Sequence, residues 1–173
     1  MANGTLKVGE ITTSTGSGNI TIGSGVTINV NRPAFCFTKA DHQTISLNTT
    51  TIVTLDSQIV DTNSAFSSNA FTVPSGLDGD YLIGFQCAFR NSAAFYKYEF
   101  SVFKNGSEDQ PSLKKNFASA VMESNYTNRE HSSAIRPLVA GDVLDLRALI
   151  QASSGTAQIM TSSTLFYGFK IGA

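Results

Sequence analysis

The chain has 173 residues, of which 41% are hydrophobic and 14% are charged, and its formal net charge is −1 at pH 7. This length is expected to give a sizeable core, and the near-zero charge excludes a general attraction to nucleic acid or to acidic membranes. No run of about 18 apolar residues marks a transmembrane helix. Serine, threonine and asparagine are abundant, which favours a β protein because these residues compete with the helix backbone.

Residues 1–33 are predicted to form an N-terminal β-stem. The stretch 15–31, TGSGNITIGSGVTINVN, alternates β-branched with polar residues, and pairs of glycines separate its short strands. Such strands bury too little apolar surface to be stable alone. We therefore expect their apolar residues to pack against the same residues of neighbouring copies around a three-fold axis, which also satisfies the strand edges. These predicted contact residues are Ile20, Ile22, Val26 and Ile28.

Residues 34–173 are predicted to be a separate head domain, because they contain every Phe and Tyr and consist of short strands with turns between them. The first strands are TISL and TTTIVTLD. After the turn at 75–78, one long strand places five apolar residues on one face: Tyr81, Ile83, Phe85, Cys87 and Phe89. The next strand ends in Asn105-Gly106, the strongest hairpin signal in the chain.

The rest of the head continues this pattern. NFASAVMESNY is expected to be a loop, with a short helix as the alternative. GDVLDLRALI places four apolar residues on one face: Leu144, Leu146, Ala148 and Ile150. The last strand carries large side chains on both faces, with Leu165, Tyr167 and Phe169 on one and Phe166 on the other. Many short strands with regular turns indicate a sandwich or jelly roll, so the fold is predicted to be all-β.

The two cysteines, Cys36 and Cys87, both lie in apolar strand-like runs. A disulfide scaffold of this size would need more cysteines. We expect two buried free thiols that act as small hydrophobic residues.

The order of apolar and turn residues in the head resembles the core signature of the complement globular-head domain, within the tumour-necrosis-factor superfamily. FTVPSGLDGDYLIGF is similar to the family core F-x-V-P-x-x-G-x-Y-x-F, with a longer turn. FKNGS, VAGDVLDLRA and SSTLFYGFKI resemble its hairpin and its last two strand motifs. The signature residues are Leu55, Asp61, Phe66, Phe71, Gly79, Tyr81, Ile83 and Phe85. This resemblance covers residues 34–173 and implies a ten-strand jelly-roll sandwich that assembles as a homotrimer.

The last strand supports a trimer independently of the resemblance, because large rings on both of its faces would leave an exposed apolar patch in a monomer. We predict that Phe166, Tyr167 and Phe169 contribute to the trimer interface. Asp145 and Arg147, two residues apart on one strand, form either an inter-subunit pair or a surface pair of little energetic value.

No catalytic motif or cofactor site is found. His42 and His131 are expected in surface loops, and there is no nucleophile elbow and no metal-binding pair. We therefore predict a protein that is not an enzyme and needs no cofactor.

The sequence leaves two binding functions possible, for calcium and for sugars. Some relatives of the resembled family bind calcium near the trimer axis, but solvated loop carboxylates are the favoured interpretation of the acidic candidates. Those candidates are Asp78, Asp80, Glu108 and Asp109. Exposed tyrosines can stack on sugar rings, and the candidates are Tyr96, Tyr98 and Tyr126, with core or interface packing as the default.

The stem is similar in style to stems of fibres and surface proteins of marine tailed bacteriophages, and no signal peptide is recognisable. The two resemblances together imply a non-enzymatic, homotrimeric virion protein, either a fibre-like appendage or a capsid decoration. Its stem would dock to other virion proteins, and its head would be exposed on the particle, with host surface polysaccharide as a candidate ligand. The alternative is a secreted or cell-surface lectin-like module of the complement-head type. A depolymerase is a third hypothesis, but it would need a carboxylate pair that the sequence does not place.

Overall fold

The computed structural model describes residues 32–109, 113–122, 124–161 and 163–172. In this part of the chain, 14 strands form and no helix does, which confirms the all-β prediction. The predicted stem contacts of Ile20, Ile22, Val26 and Ile28 lie outside the described residues and stay a prediction. The strands are β1 (Ala34–Thr38), β2 (Gln43–Ile45), β3 (Thr51–Ile52), β4 (Ser57–Asp61), β5 (Phe66–Ser67), β6 (Ala70–Thr72), β7 (Gly79–Asn91), β8 (Phe95–Lys104), β9 (Ser107–Glu108), β10 (Lys114–Met122), β11 (Asn128–Leu138), β12 (Val143–Gln151), β13 (Ala157–Ile159) and β14 (Leu165–Lys170).

The strands form two antiparallel seven-stranded sheets. Sheet A has the order β2-β13-β7-β14-β1-β4, and β11 pairs with the other edge of β7. Sheet B has the order β10-β8-β12-β6-β5, with β3 on β12 and β9 on β8. The resemblance implied ten strands. The structure has fourteen in its described part, and three of these, β3, β5 and β9, are pairings of only two residues each.

The core lies between the inner faces of the two sheets. Every second residue of β7 from Tyr81 to Phe89 is fully buried, and so is every second residue of β12 from Leu144 to Ile150. Both alternations were predicted and are confirmed. Because burial of large apolar side chains is the main favourable term in folding, these two long central strands are the framework of the head.

Phenylalanine rings fill one part of this core. The ring centroids of Phe35 and Phe71 are 4.3 Å apart, and those of Phe37 and Phe66 are 4.0 Å apart. Phe166 packs edge-on against Phe35 at 5.0 Å and is 0% exposed within its own chain. The prediction of Phe166 as an interface residue is therefore corrected, because its ring is already occupied by the core of its own subunit.

A second correction concerns NFASAVM, which was predicted to be a loop. It belongs to β10, which pairs with β8 from Lys114 to Ala118 and again at Met122, with an irregular register between these two positions. The small residues of this segment make the strand hard to recognise from the sequence. It forms because its backbone pairs with the edge of β8.

The two cysteines lie on different faces of sheet A. Cys87 is in the core, whereas Cys36 alternates with the buried Phe35 and Phe37 and is half-buried on the outer face. Both are free thiols, as predicted, although only Cys87 is fully buried. Burial raises the pKa of both thiols, so both are kept in the protonated form.

The start of the head, just before β1, lies beside the end of the last strand, β14. The backbone N–H of Lys170 donates to the carbonyl of Pro33 at 2.9 Å, and the N–H of Ile171 donates to Asp80 at the start of β7. Residue 33 and residue 171 therefore lie at the same end of the sandwich. The described part of the chain holds no helix that could span a lipid bilayer.

Candidate functional site: the outer face of sheet A

The outer face of sheet A carries three rows of uncharged side chains across β11, β7, β14 and β1. The antiparallel register places one residue of each strand in each row. We call these residues the uncharged face. Its rows are Ile135, Leu82, Phe169 and Ala34; then Ser133, Gly84, Tyr167 and Cys36; then His131, Gln86, Leu165 and Thr38.

Several of these side chains expose much apolar surface. Phe169 is 43% exposed and Ile135 is 56% exposed, and Leu82 lies between them in the same row. The neighbouring strand β4 extends the surface with Val60, which is paired with Cys36. Contiguous exposed apolar side chains of this kind are typical of surfaces that contact another macromolecule.

The middle row is flattened by a glycine. A Cβ atom built on Gly84 would be 2.5 Å from the Cζ and hydroxyl oxygen of Tyr167 and 2.9 Å from the Cβ of Ser133. The Tyr167 ring can lie over the backbone of β7 only because position 84 has no side chain. The face is therefore flatter at this row than a side chain at position 84 would allow, and flatness favours close contact with another surface.

The prediction that Leu165, Tyr167 and Phe169 share one face agrees with the structure, because all three are on the outer face of β14. Tyr167 and Phe169 thus belong to the uncharged face, and Phe166 does not. His131 also lies on this face, in the strand β11, so its predicted place in a loop is wrong. His42 is exposed and accepts a hydrogen bond at Nδ1 from the N–H of Thr161.

The outer face of sheet B differs because it carries ion pairs. Lys114 pairs with Glu99 at 3.0 Å and with Glu108 at 2.8 Å. Arg147 pairs with Asp145 at 2.6 Å within the same chain, and its guanidinium lies 4.0 Å from the centre of the Phe103 ring. A surface of neutralised charge pairs is typical of contact with water, so the two outer faces differ in what they are suited to contact.

Three of the four acidic residues considered for calcium are bound by groups of the protein. Asp78 accepts a hydrogen bond from the N–H of Ala140, Asp109 pairs with Arg136 at 2.7 Å, and Glu108 pairs with Lys114. Within the residues that the structure describes, no group of three His, Cys, Asp or Glu side chains is placed to hold a metal ion.

Of the three candidates for stacking on sugar rings, Tyr98 is the one that is buried. Its ring is buried against Phe89 at 4.6 Å, and its hydroxyl donates to Glu130 on β11. Burial, together with this hydrogen bond and the charge of Glu130, raises the pKa of Tyr98. Tyr98 therefore connects the two sheets, whereas Tyr96 and Tyr126 are exposed.

No family model and no curated protein sequence matches the chain. In structure it is similar to the globular domain of zebrafish complement 1qA, with 16% identity and a TM-score of 0.55 over 80% of this chain and 97% of that one. It is also similar to murine APRIL at pH 5.0, with 14% identity and a TM-score of 0.59 over 82% and 100%. For the Eiger TNF of S. frugiperda the identity is 14% and the TM-score 0.56, over 82% and 92%. The described head therefore has the jelly-roll fold of complement-head and tumour-necrosis-factor domains, as the sequence resemblance implied.

Proposed function

We propose that the protein is a non-enzymatic, homotrimeric structural component of a tailed-phage virion. In this proposal three heads associate through the uncharged face, residues 1–33 form a stem that docks to other virion proteins, and the head is exposed on the particle surface. The resemblance of the head supports the trimer, and the resemblance of the stem supports the virion.

The observation that carries the proposal is the contrast between the two outer faces. Phe169 and Ile135 expose apolar surface on a face whose three rows hold no Lys, Arg, Asp or Glu, whereas the outer face of sheet B holds Lys114 and Arg147 in ion pairs. Removing the uncharged face from water is favourable by about 25 cal/mol for each Å² of apolar area. A symmetric oligomer covers this face in every copy with a single kind of contact.

Assembly is tested by the mass of the full chain in solution. We expect light scattering during size exclusion to give about 55 kDa, which is three times the 18.4 kDa of one chain. Phe169→Glu places a charge on the uncharged face and should give a monomer. Ile52→Glu is the matched control, because Ile52 is also on a strand and is 42% exposed, but pairs with Arg147 on sheet B. A monomeric wild type, or a Phe169→Glu variant that stays trimeric, would refute the proposed contact.

Location is tested separately on intact particles. A density map of the virion should contain three-fold copies of the head on its surface, on either the capsid or the tail. Recovery of the chain only from a cell surface or culture medium, and never from particles, would favour the alternative of a secreted lectin-like module.

A further inference from the structure

The end of the sandwich opposite to Pro33 is formed by four loops. Strand β7 runs 13 residues from Gly79 to Asn91, so that Asn91 lies about 40 Å from the end at which the chain enters. Around Asn91 lie the loop residues 46–50, 92–94, 124–127 and 152–156, which we call the tip. Their sequences are SLNTT, SAA, SNYT and ASSGT, and none of these residues is charged. Glu123 precedes the third loop and lies outside the described residues.

Hydrogen bonds to Asn91 fix three of these loops to one another. Its side-chain Nδ2 donates to the carbonyl of Ala93 at 2.9 Å and to that of Ser154 at 3.0 Å. Its own carbonyl accepts from the N–H of Asn125 at 2.8 Å. Asn91 is fully buried, so these bonds are shielded from water and the loops are held in one arrangement.

The fourth loop is joined to the tip by Asn48. Its backbone N–H donates to Ile150 at 2.9 Å, and its side-chain Nδ2 donates to Ala152 at 3.0 Å. The hydroxyl of Tyr96 reaches the remaining side-chain oxygen of Asn48 at 3.5 Å. A surface held in place before a ligand arrives loses less entropy on binding.

The tip exposes aromatic rings among neutral hydrogen-bonding groups. Tyr126 in the third loop is 65% exposed, and Tyr96, which lies in β8 directly after the loop 92–94, is 44% exposed. Ser and Thr side chains of the four loops are exposed as well. Tyrosine, serine, glycine and asparagine are the residues that recognition loops use most, because rings give rigid contact area and short polar side chains give adaptable hydrogen bonds.

We infer that the tip is a binding surface for neutral saccharides. Sugar hydroxyls match neutral donors and acceptors, and the apolar face of a sugar ring matches an exposed tyrosine. Anionic polymers require Lys or Arg to neutralise them, and the described loops offer neither. The end at which the chain enters differs, since it carries Asp78, Lys104 and Asp142. The inference extends the proposed role of an exposed head, but the tip is separate from the uncharged face.

The full-length protein should be titrated calorimetrically with neutral dextran, mannan, laminarin and galactan, and with the acidic polymers alginate and heparin. We expect binding to at least one neutral polysaccharide and unchanged affinity between about 50 mM and about 500 mM salt. Tyr126→Ala and Tyr96→Ala should each weaken it by about tenfold or more, whereas Tyr126→Phe should retain it. Val139→Ala, an exposed apolar residue near the chain-entering end, is the matched control and should bind as the wild type does.

Three results would overturn the inference: no binding to any neutral polysaccharide, binding only to the acidic polymers with loss at high salt, or neutral binding that survives both alanine substitutions. The mass in solution is measured on the same samples. A trimer without saccharide binding refutes the tip alone, and a saccharide-binding monomer refutes the trimer alone, so that the two proposals fail separately.

Discussion

The Tyr167 ring lies across Gly84, and a Cβ atom at position 84 would be only 2.5 Å from its hydroxyl oxygen. Gly168 on the next strand stands in a similar position on the other side of the sheet. A Cβ there would be 2.6 Å from Cδ1 of Ile83 and 2.7 Å from Cε1 of Phe35. One glycine shapes the uncharged face, and the other leaves room in the core, so substitutions at the two positions should have different effects.

Gly84→Ala is expected to weaken the trimer while the head stays folded. The two closest atoms are at the far end of the Tyr167 side chain, so the ring can swing out from the sheet, where it would roughen the uncharged face. Strand β11 must also shift slightly, because the Cβ of Ser133 would be 2.9 Å from the added methyl group. Sedimentation over a range of protein concentrations should show dissociation at concentrations where the wild type is trimeric. Unchanged association would mean that the flat placement of Tyr167 does not matter for assembly.

Gly168→Ala is expected to lower the free energy of unfolding by about 1–3 kcal/mol, because an added methyl group overpacks a filled core. Its neighbours are the buried side chains of Phe35 and Ile83 and the carbonyl of Leu82 at 3.0 Å, none of which can swing into solvent. Denaturant unfolding at one protein concentration measures the change. A loss no larger than that of Gly84→Ala would contradict this account.

Phe166→Ala is expected to lower the free energy of unfolding by about 3–5 kcal/mol, since it opens a cavity beside the Phe35 and Phe66 rings. Phe117→Ala serves as the comparison. Phe117 is 47% exposed on β10, and its substitution should cost about 1 kcal/mol or less. Equal losses in thermal or denaturant unfolding would place Phe166 outside the core.

Asp142 should make the stability of the head sensitive to acid. Burial alone would raise its pKa, but hydrogen bonds from Lys104, the Val139 N–H and Asn105 outweigh burial and lower it below the ordinary 3.8. A carboxyl with a lower pKa in the folded state stabilises the fold above its unfolded pKa, and this stabilisation is lost as pH falls through the folded value.

Asp142→Asn should therefore reduce the free energy of unfolding by about 1–3 kcal/mol at neutral pH, because it breaks the 2.8 Å ion pair with Lys104. The difference from the wild type should shrink as pH falls below about 4. Unfolding curves of both proteins from neutral to acid pH give this difference directly. A difference that stays constant with pH would exclude the Asp142 carboxylate as its cause.

Asn91→Ala is expected to loosen the tip without unfolding the head. The substitution removes both hydrogen bonds from Nδ2, to Ala93 and to Ser154. Hydrogen exchange followed by mass spectrometry should show faster exchange of the amides at 92–94 and 152–156, with β12 unchanged as the internal control. Unaltered exchange in these loops would mean that Asn91 does not organise them.

The sequence allowed the core to be predicted where one face of a strand is apolar and the other polar, as in β7 and β12. The prediction failed at β14, because Phe166 and Phe169 are equally apolar. An alternation with a period of two shows only that they lie on opposite faces of the strand. Which face meets the second sheet depends on partners far along the chain, such as Phe35. The role of Asn91 could not be predicted from the sequence. The chain is rich in asparagine, and the residues next to Asn91 do not show that this one is buried.

The antiparallel pairing of β1 with β14 also determines how the protein can be used. Because Lys170 bonds to Pro33 and Gly172 bonds to Asp80, a peptide or fluorescent protein inserted directly after residue 172 would begin at the end of the head where β1 starts. The four loops around Asn91, at the far side, could then be varied as a library without obstruction. The head would in that way serve as a scaffold for displaying engineered loops.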